Sequence, residues 1–190
     1  MHIHRSLTDQ RGFTVAEVLI ACVIMTLAFV ALATIVPIAT YAVQEGYQLS
    51  TATFLAEQKL EQAKNLPWTG SPAPGTDCLG VSATSSAAPT IPAGGATCTL
   101  WTAPGCTSGV SITSGAAIPC LADEASVTNF TAYSRNVRVT NCGATPCGGI
   151  TDAGMRQVTV TVTYTSQNAT AVAGTAGPKA VQAQMVVSQR

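Results

Sequence analysis

Residues 11–44 read RGFTVAEVLIACVIMTLAFVALATIVPIATYAVQ, and this stretch decides the architecture. From Phe13 to Gln44 the only charged side chain is Glu17. An α-helix needs about 20 apolar residues to cross a bilayer, so the run from Phe13 to Val43 is long enough. A carboxylate in such a segment costs about 2.5–3.5 kcal/mol on insertion scales, so Glu17 is expected to be kept for a partner. Upstream, residues 1–12 carry Arg5 and Arg11 and no hydrophobic stretch, which keeps them cytoplasmic and exports the C-terminal part of the chain. A cleaved secretory signal has an apolar region of about 7–15 residues, shorter than this run. A plain single-span anchor explains the span, but neither Glu17 nor the glycine directly before Phe13.

Downstream the chain turns polar without a break. Leu49, Ala52, Ala56, Leu60, Ala63 and Leu66 recur at spacings of three or four, which predicts one apolar face of a helix that Pro67 ends. The organisation expected is a leader over 1–12, a hydrophobic helix over 13–44, an amphipathic stem over 45–66 and a head over 67–190. Pro37 falls inside the hydrophobic helix, where a missing N–H predicts either a simple kink or a point of local melting. Cys22 reads as a small buried hydrophobe.

The head is rich in Pro, Gly, Ser and Thr as far as about Asp123, with a short strand expected around 97–102. Three clearer strands come after it. Residues 136–140 place Val137 and Val139 on one face, 157–165 alternate Val158, Val160, Val162 and Tyr164 with polar residues, and 181–188 close the chain. The fold class is therefore α+β, a long N-terminal helix with an antiparallel sheet lying on its stem. Residues 141–149 form a turn between strands, and 168–178 a flexible hairpin connection.

Charged residues make up 9% of the chain, against about 25% in typical soluble domains, and the formal net charge is zero. That balance gives no general attraction to nucleic acid or anionic lipid. Of seven cysteines, Cys22 lies in the apolar run, while Cys78, Cys98, Cys106, Cys120, Cys142 and Cys147 lie in the head. An even set beyond a membrane segment reads as three disulfides in an oxidising compartment. Of the 15 connectivities that six cysteines allow, sequential pairing has short loops in its favour. Zinc is the weaker reading, because the six contain no C-x-x-C pair and both histidines, His2 and His4, sit in the leader.

Gly12 followed by Phe13, with an acid at the fifth position of the apolar run, resembles the N-terminus of type IV prepilins. The resemblance implies cleavage between Gly12 and Phe13 by a prepilin peptidase, N-methylation of Phe13, and assembly through the N-terminal helix with other pilin subunits. It implies that Glu17 pairs with the freed amino group of a neighbouring Phe13; helix geometry equally allows that pair within one chain. The stretch 55–67, LAEQKLEQAKNLP, looks like the stem end of minor pilins of the pilus-modification type and of pseudopilins. The family is held in the bacterial inner membrane with its head in the periplasm. An assembly platform then builds it into a pilus or a type II secretion pseudopilus.

No catalytic constellation emerges, so the chain does not read as an enzyme. Cleavage at Gly12–Phe13 would leave a chain without histidine, which removes Ser-His-Asp and Cys-His schemes. No cofactor or metal is expected. Asp123-Glu124 reads as a solvated turn in preference to a cation site or helix cap. Asn129-Phe130-Thr131 and Asn168-Ala169-Thr170 match a glycosylation pattern that carries little weight in bacteria. Trp68 and Trp101 read as core or loop anchors in preference to sugar platforms. Arg135, Arg138 and Arg156 could form a nucleic-acid patch, but alternation puts Arg135 and Arg138 on opposite faces of a strand and no aromatics interleave. Nucleic acid is disfavoured. The competing functions are an adhesive or DNA-capturing tip subunit, and an unprocessed single-pass membrane-anchored periplasmic protein.

Overall fold

The computed structural model describes residues 12–69, 76–93, 97–99, 106, 111–166 and 177–189. The leader as far as Arg11, Trp101, residues 100–102, the Asn168 pattern and most of the 168–178 connection lie outside them. The chain divides into two compact units, Met1–Gln44 and Glu45–Arg190. Helix α1 spans Val15–Lys64, including position 37. Asn65 and Leu66 turn back onto the carbonyls of Glu61, Gln62 and Ala63, and Pro67, with no N–H to donate, comes next. The remaining elements are β1 (Val81–Ser82), β2 (Pro89–Thr90), β3 (Cys98–Thr99), β4 (Ser111–Ile112), a 3-10 turn (Pro119–Leu121), β5 (Tyr133–Asn141), β6 (Met155–Thr165) and β7 (Pro178–Ser188).

The first unit presents its large apolar side chains outward, Phe13, Leu19, Phe29 and Ile38 among them. Its helix is apolar enough to cross a membrane. Cys22 is exposed too, contrary to the burial expected of it, because nothing within this unit covers it.

The second unit is built on a three-stranded antiparallel sheet in the order β5-β6-β7. Val137 faces Val160 and Val139 faces Val158 across the first pair, while Val160 faces Ala183 across the second. These side chains share one hydrophobic cluster with Ala52, Leu55, Ala56, Ala63 and Leu66. The buried stem face is thus rotated from the predicted one. Leu49 is exposed and Leu60 half-buried, whereas Leu55 and Lys59 are buried. The alanines let the backbone approach the sheet, and Lys59 reaches a carboxylate, so its charge is tolerated inside. Strand β5 starts three residues before the predicted strand, because Arg135 faces inward and masks the apolar alternation.

Between stem and sheet lies the loop-rich stretch. Its two small antiparallel pairs, β1 with β2 and β3 with β4, hold two residues per strand. Disulfides join Cys78 to Cys98, Cys106 to Cys120, and Cys142 to Cys147. The last pins the turn between β5 and β6, whose Cys142 N–H donates to Met155 O and Cys147 N–H to Ile150 O.

Candidate functional sites: the helix start and the charged anchors of the head

Helix α1 begins on a reciprocal cap. Thr14 Oγ1 accepts the Glu17 backbone N–H at 3.3 Å, and Glu17 Oε2 accepts the Thr14 N–H at 3.0 Å and its hydroxyl at 3.2 Å. This is a capping box, which satisfies donors that a helix start otherwise leaves open. From sequence, Glu17 is expected to pair with the freed amino group of Phe13, in a neighbouring chain or in its own, and not to cap its own helix. The Thr-x-x-Glu spacing of residues 14–17 was the signal for the cap. Anchoring also fixes where the carboxylate sits, one turn from Phe13, which is itself 86% exposed.

Among the described residues, the head is tied together by three arginine–carboxylate pairs and one glutamate hub. Arg156, on β6, meets Asp77 in a bidentate pair of 2.7 and 2.8 Å, with both side chains buried. Asp77 Oδ1 also accepts the N–H groups of Leu79 and Gly80, and the guanidinium lies 4.2 Å from the Trp68 ring centroid. Gly80 completes the cradle. Its φ is +65°, and a Cβ there would come within 2.5 Å of Ile118 and 2.7 Å of the Thr90 carbonyl. Trp68 is therefore a buried anchor that stacks on a cation.

Asp123 and Glu124 differ from the expected solvated turn. They are consecutive, and each takes an arginine from an opposite face of β5. Arg138 meets Asp123 at 2.6 and 2.9 Å and donates to the carbonyls of Ser85 and Ser86. Arg135 meets Glu124 at 2.8 and 2.9 Å and donates to Leu55 O on α1 at 2.9 Å. Lys59 completes this group, donating to Glu124 Oε1 at 2.7 Å. Burial raises the Glu124 carboxyl, but bonds from Lys59 and Arg135 outweigh it and hold the group below its ordinary value.

Glu45 was not singled out in the sequence, yet it gathers three donors. Tyr164 OH donates to it at 3.1 Å, Ser166 Oγ at 2.8 Å and Lys179 Nζ at 2.6 Å. Burial, and then the bond to Glu45, push the Tyr164 phenol above its ordinary value. Beside it, the Tyr133 and Tyr164 rings lie 5.6 Å apart, and Tyr133 OH donates to Gln48 O.

All three arginines considered for nucleic acid are thus paired with carboxylates, two of them with the consecutive Asp123 and Glu124 and the third with Asp77. Among the described residues, no group of three or more His, Cys, Asp and Glu side chains is arranged to hold a metal ion. The six head cysteines are joined in disulfides. No curated protein and no solved structure matches the chain. Residues 7–33 match the family described as the prokaryotic N-terminal methylation motif. The match spans Gly12, Phe13 and Glu17 and takes in the first turns of the apolar helix. It supports a type IV pilin-like subunit processed at its N-terminus.

Proposed function

We propose that the chain is a minor pilin of a type IV pilus or of a related type II secretion pseudopilus. In this reading a prepilin peptidase cuts between Gly12 and Phe13 in the cytoplasm, and Phe13 is N-methylated. The subunit waits in the inner membrane with its head in the periplasm. It then enters the filament through α1, where Pro37 provides a point of bending. The observation that carries the reading is a methylation motif heading a helix whose apolar side chains are bare over its first unit. Such a surface is unstable in water and must be covered by lipid or by other helices.

The cap at Thr14 adds a physical detail. It holds Glu17 one turn from residue 13, where cleavage would create an α-amino group that is cationic near neutral pH. Opposite charges attract strongly in a dry environment, and an unpaired one there is heavily penalised. The pair therefore favours one axial register between neighbouring subunits. The stem 45–66 fits the minor type and presents the disulfide-bonded head outside the fibre.

Mass spectrometry of the native N-terminus tests the reading. The expected species starts at a methylated Phe13 and occurs in sheared fibres. A chain that keeps Met1 and stays in the membrane fraction would make this an unprocessed single-span protein.

A further inference from the structure

Within the compact unit Glu45–Arg190, a groove of about 530 Å³ opens against the last turns of α1. Lys59, Glu124 and Arg135 line it together with Thr128 and Asn129. Two cations here share one carboxylate. Glu124 Oε1 accepts from Lys59 at 2.7 Å and from Arg135 at 2.9 Å, and Oε2 accepts from Arg135 at 2.8 Å. The Lys59 and Arg135 side chains are only 5% and 8% exposed, so water does little to screen the surplus positive charge. Arg135 Nε is also buried without a hydrogen-bond partner among the described residues. A buried, unbonded donor costs free energy, and the groove is lined by the same arginine. Glu61 also lines the groove, but it is largely exposed and pairs with Lys64 at 3.4 Å, so it does little to neutralise the buried pair.

We propose that this groove binds a single carboxylate group, with Lys59 and Arg135 supplying the charge and Thr128 and Asn129 contacting its polar neighbours. The carboxylate comes either from an acidic side chain of another protein chain or from a small free carboxylate. The proposal is independent of the filament reading.

The test uses the full chain in zwitterionic detergent micelles, followed by amide NMR. The probes are acetyl-Glu-NH2, acetyl-Gln-NH2 as the uncharged isostere, and acetate. Saturable shifts at the Thr128 and Asn129 amides are expected with acetyl-Glu-NH2 and not with acetyl-Gln-NH2. Lys59→Met leaves Arg135 and Glu124 to neutralise each other and should weaken binding at least tenfold. Thr128→Asp leaves the buried trio intact, places an anion at the exposed rim, and should weaken binding at least fivefold. A tenfold preference for acetyl-Glu-NH2 over acetate points to a side chain as the source, and equal affinity to a free carboxylate. Equal shifts from the Glu and Gln probes, or unchanged affinity in Thr128→Asp, would overturn the proposal.

Discussion

The β5-β6-β7 sheet and the loop-rich stretch before it are both buried against the same cluster, yet they are held by different means. The sheet alternates buried and less buried positions along its central strand and stacks Val158, Val160 and Val162 inward between Arg156 and Tyr164, over strands of nine to eleven residues. The described residues between Asp77 and Ala122 bury Leu79, Ile91, Ile118 and Leu121 at irregular intervals, and their strands are two residues long. A periodic apolar face pairs and packs on its own, because each added residue brings a ladder bond and a buried side chain together. An aperiodic stretch gains too little per residue to offset the entropy of ordering it. Covalent links and buried ion pairs make up the difference.

Reducing all three disulfides should part the two regions most. Each bond contributes about 2–4 kcal/mol, so the cost falls mainly on the stretch that two of them close. Amide exchange should accelerate strongly at Leu79, Ile91 and Ile118 while Val158 and Val160 stay protected. Equal acceleration in both regions would mean that they unfold as one body.

Asp77→Ala leaves Arg156 buried without its counter-ion and should destabilise the head by about 3–5 kcal/mol, read as a lower thermal midpoint. The Asp77→Leu/Arg156→Met double variant should lose less than Asp77→Ala alone. A double variant as unstable as the single would show that the charge is not what matters. In the sheet, Val160→Ala should cost about 2 kcal/mol and lower protection in all three strands. Loss confined to the loop-rich stretch would contradict the division.

The smallest effect expected is one of pH. Glu124 is held below its ordinary value of 4.5, so the stability it contributes is present above that pH and is lost as pH falls through its folded value. Glu124→Gln should therefore flatten the fall of the thermal midpoint below about pH 4.5. Parallel acid limbs in wild type and variant would remove Glu124 from the acid response.

Much of the fold is legible in the residues. Period two in 157–165, the apolar run 13–44 and the break at Pro67 each arise from local geometry, and each corresponds to an element in place. The pairing of six cysteines in sequence order also agrees with what short loops favour. The capping box at Thr14 and Glu17 was visible in its spacing and was hidden only by the more specific motif around it.

Other features had no local signal. Nothing near Lys59 or Arg135 in sequence signals their burial, and the fold brings Glu124 between them across 65 and 11 positions of sequence. Asp77 looks like any loop acid, and its partner Arg156 lies 79 residues away. Glu45 acquires its task only when β6 and β7 bring Tyr164, Ser166 and Lys179 to it. Hydrophobic periodicity and processing motifs are properties of neighbouring residues, so the sequence by itself determined the helix, the sheet and the N-terminal signature. Charge pairing depends on distances between remote residues, and only the tertiary structure decided which cations are buried and which groove they line.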